Sequence, residues 1–286
     1  MKKRWRRRNL IEIMAKSVML LSCAIVISSL GFILWAVIGK GFPALSWQMI
    51  SQVPQGGYYL GKEGGILNAI IGSLYLAAGG TVSAFLLGLP IALYLKTYLL
   101  KSRWGNYVRV VMDVLWGIPS IVYGIFGFTL MIAIGMRASL LGGIVVLAFL
   151  ELPIMVRAMD EVIRRMPEEL EQSALAIGAT KLETAIHVVT RQTLPGIVSA
   201  VLLAFGRGIG DAASVLFTAG YTDRIPTSLF SPTASLPLAI FFQLNTPYQE
   251  VQQRAYASAL ILTIIVLVVS LGSRWIAARL GKYVVK

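Results

Sequence analysis

The sequence predicts an all-α integral membrane protein with about six transmembrane helices. Three observations carry that expectation. Of its 286 residues 57% are hydrophobic and only 14% charged, with mean hydropathy +0.75, outside the range of a soluble domain. Apolar stretches of about 20 residues, enough to cross a bilayer, recur along the chain. The basic residues alternate between the connections as in a multi-pass topology.

The spans read as residues 17–39, 66–95, 107–134, 139–158, 194–219 and 255–280. The second and third are long enough to tilt or to extend beyond the hydrocarbon. With the N-terminus inside, the cytoplasmic segments hold Lys2, Lys3, Arg4, Arg6, Arg7, Arg8, Lys16, Lys96, Lys101, Arg103, Arg109, Arg157, Arg164, Arg165, Lys181, Arg191, Arg274, Arg279, Lys282 and Lys286. The external side keeps only Lys40, Lys62, Arg137, Arg224 and Arg254, and Arg207 lies within a span. Both termini are therefore expected in the cytoplasm, in an inner or plasma membrane. The basic run up to Arg8 reads as a topology signal and a contact to anionic lipid rather than to nucleic acid. The apolar stretch after it is too long for a cleaved signal and lacks a small-residue cleavage site, so it is expected to be retained. Trp35, Trp104 and Trp275 fall near span ends, where indoles anchor at the interface.

Cys23 is the single cysteine and His187 the single histidine, which excludes an internal disulfide and a Cys/His metal cluster. No catalytic set of nucleophile and base is visible. No Gly-x-x-x-x-Gly-Lys-Ser/Thr string occurs, so the chain cannot hold ATP in the P-loop manner, and energy of that kind must come from a partner.

Arg207 and Asp211 stand in the middle of the fifth span. A charge at a membrane centre costs about 2.5–3.5 kcal/mol on insertion scales and normally faces a cavity, a counter-charge or a substrate path. On a helix Ala200, Ala204, Arg207, Gly210, Asp211, Ser214 and Thr218 share a face, with Leu202, Phe205, Ile209 and Leu216 behind it. Gly206, Gly208 and Gly210 each cost about 1 kcal/mol against alanine. They fit a close backbone approach, a hinge, or tight helix packing. Arg157, at the inner end of the fourth span, is either a positive-inside anchor or a contact for an anion leaving the pathway. Asp113 and Glu151 are expected to pair with basic residues, Glu151 beside a break at Leu152-Pro153.

The connection 159–193 reads as helical. Pro167 stands at a plausible first helical position, with Glu168 and Glu169 in the first turn where the helix dipole favours acids. Leu170, Ala174, Leu175 and Ile177 form an apolar stripe, Gly178 can end the helix, a second segment covers 181–189, and Leu194-Pro195-Gly196 reopens the span. Such an element suits docking into a groove of another protein or lying on the bilayer surface. The external segment 220–254 contains an amphipathic patch, 236–244. It either caps the pathway and receives a binding protein or forms an interfacial connection.

Gln172-Ser173-Ala174-Leu175-Ala176-Ile177-Gly178-Ala179, followed by Leu194-Pro195-Gly196, resembles the EAA loop of ABC importer permeases, with Gln172 in place of the motif's Glu. Gly117-Ile118-Pro119-Ser120-Ile121-Val122-Tyr123-Gly124, Leu152-Pro153-Ile154-Met155-Val156-Arg157, the 206–211 string and Leu216-Phe217-Thr218-Ala219-Gly220 resemble Pst-type phosphate permeases, the last favouring the PstA branch. The resemblance spans about 64–280. It implies a type I ABC importer permease (MetI-like) fold, with a basic tail over 1–16, a first helix and external loop over 17–65, and a permease core over 66–286 that includes the coupling loop 159–193.

By resemblance the substrate pathway takes Arg207, Asp211, Arg157 and Ser214, and coupling to an ATPase takes Glu169, Gln172, Ser173, Ala174, Ile177, Gly178 and Ala179. The implied partners are a second, PstC-like permease in a heterodimer, two PstB-like ATPase subunits holding ATP and Mg, and an external PstS-like phosphate-binding protein. No cofactor is implied in this chain. The family pattern has Glu, Thr and Pro where Asp211, Ala212 and Ser214 stand here, which bears on anion selectivity. Arg207 offers a planar fork for an oxyanion. Asp211 can neutralise it in the empty site and accept a hydrogen bond from protonated phosphate. A permease for molybdate or sulfate, or an ion-coupled secondary transporter, are the competing readings.

Overall fold

The computed structural model describes residues 2–55 and 63–280, with side chains from Arg8 and again from Gly64. Lys62, Lys282 and Lys286 of the charge pattern lie outside the described residues, as do the side chains of the basic run before Arg8. The elements are α1 (Lys2–Gly41), α2 (Trp47–Ser51), a two-residue antiparallel pairing of Pro54–Gln55 with Glu63–Gly64, α3 (Leu67–Thr97), α4 (Arg103–Gly117) and α5 (Ser120–Ala133). They continue with α6 (Leu140–Arg164), α7 (Glu168–Ala176), α8 (Lys181–Glu183), a π-helical stretch Thr184–Val189, α9 (Thr190–Ile209), α10 (Leu236–Leu244) and α11 (Gln249–Leu280). Among the described residues five helical runs are long and apolar enough to cross a membrane, and α4 with α5 would make a sixth, bent by 95°.

Two expected spans differ. The third is broken, because Pro119 lacks an N–H and forces Ile118 out of the helical region, to φ −71 and ψ 130. The fifth starts earlier and ends earlier than 194–219. Its start at Lys181 is set by a capping box in which Thr180 accepts from the Glu183 N–H and the Glu183 carboxylate accepts from the Thr180 N–H. Leu194-Pro195-Gly196 therefore lies inside a helix and does not open one. The backbone there adapts through the π-helical turn, with hydroxyl bonds from Thr190 to the Ala185 carbonyl (2.9 Å) and from Thr193 to the Val189 carbonyl (2.7 Å). The helix stops at Ile209, so Asp211, Ser214 and Thr218 do not continue a helical face with Arg207. The expected break at Leu152-Pro153 is absent: α6 runs through Pro153.

α3 is the spine. Ala69, Ser73, Ala77, Gly80, Ala84, Gly88 and Ala92 form a buried stripe of small residues spaced three and four apart. Small side chains let backbones approach, which is how helices associate where lipid removes the hydrophobic drive. A Cβ at Gly79 would lie 2.5 Å from Ile144, and one at Gly80 would lie 2.9 Å from Leu147 Cβ, both on α6. One end of the bundle is filled by Met155, Met159, Ile163 and Met166 against Val189, Ile197, Ala200 and Ala204. At the other end the first turn of α10 is packed inward: Leu236 and Leu238 are fully buried, and the Leu236 N–H donates to Ser73 Oγ at 2.7 Å, while Phe241 and Leu244 are exposed. α1 stays largely exposed and meets α11 where Gly41 abuts the Tyr256 carbonyl.

Candidate functional site

α9 ends in a glycine-rich turn that presents Arg207. Its guanidinium is half exposed, and Nη2 lies 3.8 Å from Asp211 Oδ1, beyond hydrogen-bond length. Asp211 is buried and committed elsewhere. Its Oδ2 accepts from the Ser214 N–H at 2.8 Å and its own N–H donates to the Gly208 carbonyl at 3.1 Å, an Asx-type turn in place of the expected helical face. Ser214 is fully buried and its Oγ has no hydrogen-bond partner. The three residues are thus together, but Arg207 alone of them faces outward with donors free.

Behind this turn lies Glu151, which the sequence led us to expect in a pair with a basic residue. Glu151, fully buried on α6, accepts from Thr81 Oγ1 at 2.8 Å through Oε2, and Oε1 has no hydrogen-bond partner. The expected basic partner is absent among the described residues. Oε1 instead abuts Gly208, where any Cβ would collide with it. Ser73, Leu76, Leu147, Asp211, Val215 and Ser235 close a seam beside Gly208 too narrow for a water molecule. The only sequence signals for Glu151 were its apolar surroundings and the glycine spacing of 206–210.

The α4–α5 break gives the 117–124 string a structural meaning. Pro119 ends the first helix, Tyr123 donates to the Leu115 carbonyl across the bend at 2.9 Å, and Gly124 abuts the backbone of Ala213 and Ser214. A Cβ at Gly124 would lie 2.8 Å from the Ala213 carbonyl oxygen, so α5 and the turn after Asp211 touch only because that side chain is missing.

Arg157 does not join the Arg207 site. It lies six residues beyond Glu151 on α6, about 9 Å along the axis. Its Nε is 2.6 Å from Asp113 Oδ1, an ionic contact without hydrogen-bond alignment, and its Nη1 is 3.7 Å from Asp160 Oδ2. Asp160 in turn accepts from Arg109 Nε at 2.8 Å and Nη2 at 3.2 Å. Two arginines and two aspartates form a charge-balanced network that ties α4 to α6.

The 159–193 connection holds a short helix, α7, whose acids Glu168, Glu169 and Glu171 occupy the first turn. The expected apolar stripe is divided. Leu170 and Ala174 pack inward, while Leu175 is exposed and Ile177 is 88% exposed. Glu169, Gln172 and Ser173 also face out. Gly178 has φ +94, its N–H bonds to the Leu175 carbonyl (3.0 Å), and the Ala179 N–H reaches the Ala174 carbonyl (3.2 Å). This is a Schellman stop. The helix is held to α3 by Lys96, whose Nζ lies 3.5 Å from Glu171 Oε2.

Residues 84–286 match the family described as "Binding-protein-dependent transport system inner membrane component". The chain belongs to that family. It is 34% identical over 276 residues to the "Phosphate transport system permease protein PstA" of Xylella fastidiosa (strain 9a5c), covering 96% of this chain and 95% of the relative. It is 34% identical over 281 residues to "Phosphate transport system permease protein PstA 1" of Mycobacterium tuberculosis (strain CDC 1551 / Oshkosh), covering 96% and 91%. The PstA of Yersinia pestis is 31% identical over 281 residues, covering 97% and 93%. The fold resembles a chain of the inward-facing MetNI methionine ABC transporter with TM-score 0.62 at 18% identity, over 75% of this chain and 95% of that one. The permease is thus a multi-pass membrane subunit with the MetI-type fold, and its family works with ATPase and substrate-binding partners.

Proposed function

We propose that this permease is the PstA-type transmembrane subunit of an ATP-driven importer of inorganic phosphate. The observation that carries the reading is the near full-length similarity to permeases named for phosphate transport. The geometry is consistent with it: one arginine fork with free donors stands half exposed at the end of α9, its carboxylate neighbour too far away for a hydrogen bond. An oxyanion crossing the membrane exchanges hydration for such donors, and guanidinium binds it in a bidentate way.

In this reading Arg207 contacts the anion, Asp211 and Ser214 shape the turn that carries it, and Arg157 steadies the inner end of α6. Both termini face the cytoplasm of an inner or plasma membrane. The outward face of α7, with Glu169, Gln172, Ser173 and Ile177, seats in an ATPase subunit, and Ala174, Gly178 and Ala179 set its shape. The chain carries no catalytic site or cofactor of its own. ATP and Mg are held by two PstB-like subunits, a PstC-like permease completes the pathway, and a PstS-like protein delivers phosphate.

The test is ATP-dependent phosphate uptake into vesicles carrying the four components, with wild type compared with Arg207→Gln. Loss of uptake by an assembled complex is expected. Unchanged uptake would remove Arg207 from the pathway.

A further inference from the structure

We propose that Glu151 is a positioning residue for Arg207, its carboxyl acting as the backstop for the last turn of α9. The proposal rests on Arg207 being the anion contact. Gly206, Gly208 and Gly210 leave that turn only the buried Ile209 with which to fix its own rotation. A second stop is Glu151 Oε1, which abuts Gly208, the residue directly after Arg207. The carboxyl is itself fixed from two sides, by α6, which carries it, and by the Thr81 hydroxyl of α3 at 2.8 Å. On the far side of the turn, the Asp211 N–H holds the Gly208 carbonyl at 3.1 Å. Arg207 is therefore aimed by two backbone contacts to one glycine.

Stability does not account for this arrangement. A fully buried carboxyl with one oxygen unpartnered is unfavourable, and an apolar side chain of similar volume would fill the place at lower cost. Such a group is explained by what it holds in position. Because donors must meet an anion within a fraction of an ångström, a small rotation of the turn is felt as weaker binding rather than as loss of fold.

The experiment uses the assembled transporter in vesicles and reads KM and kcat of phosphate uptake. Glu151→Ala is expected to raise KM about tenfold with kcat changed less than threefold. Glu151→Gln, which keeps the size and the acceptor for Thr81, is expected to stay within about twofold of wild type. Gly208→Ala should raise KM as Glu151→Ala does. Adding Glu151→Asp, which withdraws the carboxyl by one methylene, should recover most of that loss.

Unchanged KM in Glu151→Ala overturns the proposal, as does a Gly208→Ala defect that Glu151→Asp leaves or deepens. Should Glu151→Ala fail to assemble, the Gly208→Ala pair decides by itself. Arg207→Gln separates the two readings. If it abolishes uptake while Glu151→Ala leaves KM unaltered, only the positioning role falls. If it leaves uptake intact, the Arg207 site falls and this role with it.

Discussion

Breaking the link between α3 and α7 should uncouple the permease without unfolding it. Lys96 is almost completely buried, with 2% of its side chain exposed, and its partner Glu171 is 24% exposed. At their separation of 3.5 Å an effective dielectric of 20 gives an attraction of about 4–5 kcal/mol before desolvation. The net worth of the pair is much smaller, because both charges leave water to make it. Removing only Glu171 is a different perturbation, since it leaves the ammonium buried and alone. A fully enclosed orphan charge costs about 3–5 kcal/mol, and the partial exposure of Glu171 brings the expected cost of Glu171→Gln to about 2 kcal/mol. That shifts the balance between docked and loosened α7 roughly thirtyfold. In vesicles carrying the whole transporter, Glu171→Gln should keep ATP hydrolysis while the phosphate moved per ATP falls severalfold. Lys96→Met with Glu171→Leu should recover much of the coupling, because an apolar pair of similar volume needs no counter-charge. Wild-type coupling in Glu171→Gln, or a double variant as defective as the single one, would refute the reasoning.

Asp160→Asn leaves Arg109 buried without its bidentate partner and should cost about 3–5 kcal/mol, read as a lower unfolding midpoint of the purified permease. Gly178→Val forces a β-branched residue to φ +94 and should cost about 1–2 kcal/mol. Gly178→Asn should cost less, because asparagine tolerates the left-handed region that a β-branched residue avoids; amide exchange over 174–179 measures both. Thr180→Ala removes the cap of the long helix that begins at Lys181, at about 1 kcal/mol, with faster amide exchange expected at 182–184.

Much of the fold was legible because it depends on local chemistry. Apolar length places helices, and Pro167 and Gly178 bracket α7 to within two residues. Arg207 stood out because a charge in apolar surroundings has few explanations. Proline 119 was equally visible, yet hydropathy averages over a window and read straight through it, so the 95° bend was missed. The same averaging displaced the fifth helix toward its most apolar part, whereas its start depends on a cap and its end on three glycines and an Asx turn.

What the sequence by itself determined is the membrane class, the approximate spans, the helix of the 159–193 connection and Arg207 as a charge set in an apolar stretch. Only the tertiary structure decided that Arg207 is exposed while Asp211 is turned inward, that Arg157 belongs to a network with Asp113, Asp160 and Arg109, and that Glu151 meets Thr81 and Gly208. The physical reason is separation along the chain: Thr81 and Glu151 are 70 residues apart and Arg109 and Asp160 are 51 apart. Their meeting depends on how close α3, α4, α6 and α9 can approach, which the small residues permit but which no single stretch of sequence contains.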